Sequence, residues 1–268
     1  MFPEIIPARE VRRAIDGFVD HLVTNYADAL ERLSSPILTV LVWLEQLLRA
    51  TPWWVMVLAV VAIAWLVSRR PLFSVAMGLI LCLLGVLGLW DAGMQTLSLM
   101  LMATFLSVLV GIPLGIIMAR INWLRSIMLP ILDVMQTMPS FVYLIPVVML
   151  FGLGKIPALI ATVIYAVPPL IRLTDLGIRL VDREVLEASR AFGATSRQQL
   201  FGVQLPLAMP NIMAGINQTT MMALSMVVIA SMIWCAWPGL RGAAGYQSPG
   251  SRSWSVGRFR YRGVGCLV

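Results

Sequence analysis

The sequence predicts an all-α protein that crosses a membrane several times. Of its 268 residues, 59% are hydrophobic and only 12% are charged, about half the charged share of an ordinary soluble domain. The mean hydropathy is +0.87. Several apolar runs approach the roughly 20 residues that a helix needs to cross the hydrocarbon core. These observations predict about five to six membrane helices with an additional helical extension at the N-terminus.

The first 50 residues predict this polar or amphipathic extension. Charges of both signs alternate with apolar residues over 1–35, at spacings that favour an amphipathic helix. Whether it has a role of its own or is a plain tail is left open. The segment 36–49 is apolar but short and contains Glu45, so we expect it to lie at the membrane interface.

Residues 51–96 predict two peripheral membrane helices, over 53–67 and 72–90, with tryptophans near the ends of the first. Residues 97–233 predict the transmembrane core. Its apolar runs are 97–118, 127–151, 156–171 and 212–233. The run 127–151 carries three prolines, which favours either one kinked span or a broken pair of helices.

The predicted orientation of the chain in the membrane follows from the positions of its arginines. If every run crosses once, the arginines that follow three of the runs fall on one side of the membrane. These are Arg69, Arg70, Arg120, Arg125, Arg172, Arg179, Arg183, Arg190 and Arg197. The positive-inside rule places that side in the cytoplasm, together with the polar loop 172–210.

Within this loop, residues 187–206 predict two short helices joined by a turn. Glu187 opens the first helix, where a carboxylate favours the positive end of the helix dipole. Gly193 stands where a helix C-terminal glycine would. Ser196 and Gln199 have the spacing of a capping box for the second helix, and Pro206 would end it. Such an elbow on a membrane face is a candidate docking surface.

The residues of the elbow resemble a known pattern. EAS at 187–189, three intervening residues, Gly193, nine further residues and VQLP at 203–206 resemble the cytoplasmic loop of permease subunits of binding-protein-dependent ABC importers. Ser189 and Val203 are conservative departures from that pattern. Further stretches, at 135–154, 165–178 and 204–233, resemble the glycine betaine/proline betaine branch. By resemblance, the docking and coupling residues are Glu187, Ala188, Ser189, Gly193, Val203, Leu205 and Pro206.

The resemblance implies the fold of a type I ABC importer membrane domain, in the cytoplasmic (inner) membrane of a bacterium. It implies a separate ATP-binding subunit, a second permease subunit in a homodimer and an extracytoplasmic solute-binding protein. The transported solute would be an osmoprotectant of the glycine betaine or proline betaine type. No cofactor, metal or nucleic acid is expected.

A polar, proline-broken patch deep in 127–151, and a second one in 212–233, are candidates for the solute pathway. They are Gln136, Thr137, Pro139, Ser140, Tyr143, Asn217 and Gln218. The alternative is ordinary hydrogen bonding between packed helices. A quaternary ammonium solute would favour an aromatic cage, and the sequence alone does not locate one in the spans.

The sequence contains no carboxylate pair, nucleophile–base arrangement or phosphate-binding glycine loop, so ATP hydrolysis is expected in a partner rather than in this chain. A self-contained secondary transporter or channel is the alternative function, although neither inverted repeats nor membrane-buried charges are evident. The segment 234–268 changes abruptly to Gly, Ser and Arg, which predicts an altered reading frame or truncation; a genuine basic tail is the alternative.

Overall fold

The computed structural model describes residues 35–152 and 154–236, and every regular element within them is helical. The first six helices are α1 (Ser35–Ala50), α2 (Trp53–Ser68), α3 (Pro71–Val86), α4 (Trp90–Arg120), α5 (Asn122–Thr137) and α6 (Phe141–Phe151). They are followed by α7 (Lys155–Arg179), α8 (Arg183–Ala191), α9 (Ser196–Gln199), a π-helical turn (Leu200–Gln204) and α10 (Leu205–Ala236). The predictions for 1–34 and for most of the 234–268 tail lie outside the described residues.

Three helices are long and apolar enough to cross a membrane: α4, α7 and the continuous helix Ser196–Ser231 that contains α9 and most of α10. Two bent pairs, α1 with α2 and α5 with α6, pass the same test when each is taken as one span, so the described residues hold up to five spans. The predicted all-α, multi-pass architecture is therefore confirmed.

α7 is the centre of the core and packs between α4 and α10. Small residues bring the axes together: a Cβ added to Gly115 of α4 would lie 2.6 Å from Thr174 Cβ, and one added to Gly177 would lie 2.8 Å from Asn211 Cβ of α10. One turn earlier on each helix, Leu170 of α7 faces Gly111 of α4. Close helix contact at small residues is how membrane helices gain packing energy without a hydrophobic driving force between them.

α7 is longer than the apolar run predicted. It begins at Lys155 and continues to Arg179, well beyond Ile171. In the additional turns Asp175 pairs with Arg179, and Arg172 pairs with Asp133 of α5, so the helix continues where hydropathy ends. The polar connection expected over 172–210 is correspondingly shorter, because its first eight residues belong to α7 and its last six to α10.

The run 127–151 forms two separate helices rather than one kinked span, so the second of the two structures predicted from its prolines is the one observed. α5 and α6 meet at 94°. Pro139 causes the break: it lacks an N–H, and the residue before it, Met138, takes extended angles (φ −72°, ψ 136°) as residues before proline usually do. α5 contacts the C-terminal end of α7, whereas Leu144 of α6 packs against Ala161 near its N-terminal end, so the pair passes along α7.

α1, over the segment expected at the membrane interface, packs into the helical core. Leu41 of α1 is fully buried in a cluster with Met102 of α4, Leu159 of α7 and Ala223 of α10. Glu45 is buried as well, because Lys155 Nζ lies 2.5 Å and Arg49 Nη2 3.1 Å from its carboxylate. Neutralisation of that one charge lets an otherwise apolar helix face join the core.

α2 and α3 pack against each other at the edge of the helical core. α2 has no buried residue, and Gly78 of α3 lies against Val61. α3 ends at Val86, four residues before the predicted end, because Gly88 turns the chain with φ +72° and Trp90 begins α4. The exposed apolar side chains of this pair are suited to lipid.

Candidate functional site

The candidate site is the elbow, which was predicted over 187–206 and in the structure comprises residues 182–204, between α7 and α10. Asp182 caps α8 by accepting a hydrogen bond from the backbone N–H of Glu184 at 3.1 Å. Gly193 has φ +80° and closes the helix, with its N–H donating to Arg190 O at 2.9 Å and the N–H of Ala194 donating to Ser189 O at 3.1 Å. The predicted C-terminal glycine is therefore confirmed.

The capping box of α9 is present but starts one residue earlier than predicted. Thr195 is the N-cap and accepts from the Gln198 backbone N–H at 3.4 Å, while the Thr195 N–H donates to Gln198 Oε1 at 2.9 Å. Ser196 and Gln199, which were predicted to form the box, lie one position further on. The side chain of Gln199 does not take part in the capping box, because it points toward α8 instead of toward the cap.

Gln199 joins the two helices of the elbow. Gln199 is only 7% exposed, and its Nε2 donates to Leu186 O and to Ser189 Oγ, both at 2.8 Å. Ser189 Oγ itself donates to Leu186 O at 2.9 Å. The serine at this position, where the family pattern has alanine, thus completes a partly buried polar network. Sequence reasoning placed Ser189 in the site but missed Gln199 as its partner.

We expect Gln199→Ala to loosen the elbow, because it removes the two hydrogen bonds from Gln199 Nε2 to α8, each of which contributes about 0.5–1.5 kcal/mol. Hydrogen–deuterium exchange of the α8 amides should rise about tenfold or more, since every 1.4 kcal/mol is a tenfold change in an opening equilibrium. Gln198→Ala is the matched control, because Gln198 is exposed and acts only as a cap. Equal exchange in the two variants would contradict the role given to Gln199.

Glu187 does not open a helix, contrary to the prediction. α8 starts at Arg183, so Glu184 occupies the first turn and Glu187 the second. Glu187 is exposed and, within the described residues, has no ion-pair partner within 4 Å. It lines a cavity of about 310 Å³ with Arg183, Leu186 and Arg190. Neighbouring Ala188 is also exposed, so this face of α8 presents a free carboxylate beside a small side chain.

Phe192 is the most exposed large apolar side chain of the elbow and was not singled out from the sequence. It is 93% exposed at the turn between α8 and Gly193. Fully exposing an aromatic ring of this size forgoes the hydrophobic gain that burial would give, and aromatic residues at protein surfaces are enriched in interfaces. The only signal in the sequence was its place as one of two phenylalanines, with Phe201, in a largely polar stretch.

Pro206 does not end the second helix. The chain passes from α9 through the π-helical turn directly into α10, with Pro206 as its second residue and the Leu205 N–H donating to Leu200 O. A widened π turn absorbs the missing proline donor without interrupting the helix. Val203 and Leu205 are half-buried, and Leu205 packs on Ile178 and Ala208, so they attach the elbow to α7 and α10.

Polar contacts connect the elbow to the membrane helices. Arg120 Nη2, at the end of α4, donates to Ser196 O at 2.8 Å. A cavity of about 180 Å³ lies at this junction, lined by Ala119, Arg120, Ile178, Arg190, Ser196, Gln199 and Gln204. The start of α9 is therefore tied directly to a membrane helix.

An ion cluster around buried Asp175, which includes Arg179 three residues before Asp182, also holds the helices together. Asp175 is 2% exposed and lies 3.0 Å from Arg125 Nε of α5 and 3.0 Å from Arg179 Nε of α7. Arg179 Nη2 donates further to Asn122 Oδ1 at 2.8 Å and to Met118 O at 3.4 Å. Asp175 therefore links α5, α7 and the end of α4. A second pair, Arg172 with Asp133, joins α7 to α5 at an exposed position.

Five of the predicted pathway residues lie together at the break between α5 and α6. Thr137 Oγ1 donates to Val134 O at 2.9 Å, and Tyr143 Oη donates across the break to Met135 O at 2.6 Å. The other three, Gln136, Pro139 and Ser140, are partly or fully exposed. Asn217 and Gln218 lie on the exposed face of α10, and no hydrogen bond of the described residues joins them to the break.

Comparison with known proteins points to one class of membrane protein. Residues 111–256 match the family model described as "Binding-protein-dependent transport system inner membrane component". The chain is 48% identical over 215 residues to the glycine betaine/proline betaine transport system permease protein ProW of Escherichia coli, covering 80% of this chain and 60% of that protein.

This chain covers a larger share of the length of two further relatives. The chain is 41% identical to the glycine betaine transport system permease protein OpuAB of Bacillus subtilis, over 88% of this chain and 82% of that protein. It is also 41% identical to the glycine betaine/carnitine transport permease protein GbuB of Listeria monocytogenes, over 88% of this chain and 84% of that protein. By contrast, it spans 48% of the corresponding permease of Salmonella typhimurium.

Proposed function

The chain belongs to the family of binding-protein-dependent transport system inner membrane components, and from this we propose that it is the permease subunit of an ATP-driven importer of glycine betaine-type osmoprotectants. The names of the relatives support this solute class: glycine betaine occurs in those from Escherichia coli, Bacillus subtilis and Listeria monocytogenes. Carnitine in one name and choline in another leave several quaternary ammonium solutes within the proposal.

The observation that carries the proposal is the elbow. It is internally braced by Gln199, tied to α4 by Arg120, and turned outward at Phe192 and Glu187. A braced surface with unsatisfied apolar and charged groups is suited to bind a partner in a groove and pass its movement to the spans. We propose that the partner is a separate ATP-binding subunit in the cytoplasm of a bacterial cell, which supplies the energy that this chain does not.

The exposed face of α10 supports a second permease subunit. Asn217 and Gln218 stand beside Met213 and Met221 on a helix that passes the membrane-span test. Amide side chains facing hydrocarbon would lack hydrogen-bond partners, at a cost of several kcal/mol each. A homodimer that encloses a water-filled pathway between its two copies would satisfy them, with the α5–α6 break contributing to the same pathway. An extracytoplasmic binding protein would deliver the solute.

The proposal is tested by uptake of radiolabelled glycine betaine in cells that lack their own betaine uptake. The chain is expressed with the ATP-binding and solute-binding subunits of its own system. Uptake that requires all three components, and that stops when the ATP-binding subunit is made unable to hydrolyse ATP, is the expected result. Uptake by the chain alone, driven by a proton or sodium gradient, would instead establish the secondary-transporter alternative.

We expect Phe192→Ala to weaken binding of the ATP-binding subunit by about thirtyfold, because a central aromatic anchor contributes 2 kcal/mol or more to an interface. The amount of ATP-binding subunit that co-purifies with the chain in detergent measures this effect. Phe105→Ala is the matched control, since Phe105 is 61% exposed on α4, away from the elbow. Undiminished co-purification of the Phe192 variant would place the partner elsewhere.

A further inference from the structure

Two aromatic side chains that are distant in sequence meet beside the α5–α6 break. The ring centroids of Tyr143 in α6 and Tyr165 in α7 are 6.1 Å apart, with the ring planes tilted by 50°. Both side chains are partly exposed rather than closed into the core. The two rings therefore meet in a partly exposed corner at the α5–α6 break, in the part of the chain where a solute pathway is predicted.

Each ring is held in place by a different contact. Tyr143 Oη donates to Met135 O at 2.6 Å, which fixes its ring across the break. Tyr165 packs against the apolar cluster that contains Leu144 and Ala161. Such fixation matters because a binding group whose rotamer is already set loses little entropy when a ligand arrives.

The hydroxyl of Tyr165 indicates that this corner is in contact with water. Tyr165 is the eleventh residue of α7, so its Cα lies about 15 Å along the helix from Lys155, deep within the span. Within the described residues, Tyr165 Oη has no hydrogen-bond partner, yet it is not among the fully buried unpaired groups. A phenol facing hydrocarbon without a partner would cost several kcal/mol, which favours an aqueous surface at this point.

We propose that Tyr143 and Tyr165 form a transient subsite for the quaternary ammonium group of the solute on its way through the permease. The faces of aromatic rings carry negative potential and attract cations within about 6 Å of the centroid, and methylated ammonium groups are favoured because they are weakly hydrated. Two rings in a corner offer two such faces to one cation without a fixed carboxylate, so that the solute is held weakly enough to leave. The inference rests on the proposed function, since it identifies the charged group that this pathway recognises.

The test uses the complete transporter, with its ATP-binding and solute-binding subunits, in the same glycine betaine uptake assay. Tyr165→Phe keeps the ring and should stay within about twofold of the natural chain. Tyr165→Leu removes the ring and should lower the maximal uptake rate about fivefold or more. Solute-stimulated ATP hydrolysis should persist in the Leu variant, so that more ATP is consumed for each solute moved. Phe105→Leu, at an exposed position on α4, is the matched control.

A graded series separates attraction of a cation from simple packing. Fluorinated tyrosines inserted at 165 keep the size of the ring but withdraw electron density from its face. Uptake of glycine betaine should fall progressively with the number of fluorine atoms, whereas a packing role predicts no trend. Equal uptake by the Leu and Phe variants, or no trend with fluorination, would overturn the subsite and leave the importer function standing. Failure of the natural chain to import glycine betaine would instead overturn the proposed function, and the subsite with it.

Discussion

Replacing Asp175 by Asn is expected to destabilise the chain by about 3 kcal/mol, because breaking a buried ion pair costs about 3–5 kcal/mol and leaves charges without compensation. The low end of that range applies because the two arginines are partly exposed, at 37% for Arg125 and 30% for Arg179, so solvent screens part of the charge. The measurement is the midpoint of thermal unfolding in detergent, together with the yield of inserted protein. Uptake should fall with the amount of folded chain.

Asp133→Asn is the matched control for this prediction. Asp133 also pairs with an arginine between α5 and α7, but its side chain is 61% exposed. An exposed pair contributes about 0–1 kcal/mol, so this variant should unfold close to the natural chain. If the two Asn variants unfold at the same temperature, burial of Asp175 does not set its contribution, and the cluster is not the link that we describe.

The position of the cluster explains why its loss should affect more than stability. Arg125 comes from α5, Arg179 from the last turn of α7, and the contacts of Arg179 with Asn122 and Met118 reach the end of α4. Asp182 caps α8 three residues later. If the ATP-binding subunit moves the elbow as we propose, the movement reaches α5 through Asp175 and α4 through Arg179, and a variant that folds without Asp175 should transmit it poorly.

The elbow was predictable because its signals are local. A glycine after a short helix, a cap residue with Gln three positions on, and the spacing to the proline all lie within 20 residues. The register of the cap was not decided by these signals. Thr195 with Gln198 and Ser196 with Gln199 both have the required spacing, and the choice depends on Gln199 reaching back to Leu186.

Features that depend on distant partners were not visible in the sequence. Asp175 follows the end of an apolar run and was taken as part of a polar loop, because its partner Arg125 is 50 residues away. Tyr143 and Tyr165 meet only because Pro139 bends α5 and α6 by 94° beside α7. In the same way, Glu45 excluded α1 from the predicted core, since its partner Lys155 is 110 residues further along the chain.

Replacing Gly193 by Val is expected to lower coupled uptake about tenfold or more, while the chain still inserts into the membrane. Gly193 has φ +80°, and a β-branched residue held there costs about 1–3 kcal/mol of strain. No atom would lie within 4 Å of an added Cβ, so the effect comes from the backbone angle and not from crowding. The turn that presents Phe192 would have to change shape, which should separate ATP hydrolysis from solute movement. The measurement is the number of ATP molecules hydrolysed for each glycine betaine imported.

Gly193→Asn separates the backbone explanation from any general sensitivity of the turn. Asn adopts positive φ far more readily than Val, and the open space around Gly193 admits its side chain. The Asn variant should therefore keep most of the uptake. Asp adopts positive φ almost as readily, so a loss in Gly193→Asp would come mainly from its added charge at the docking surface. Equal losses in the Val and Asn variants would show that the partner contacts Gly193 itself, and normal uptake in the Val variant would remove the elbow from the coupling path.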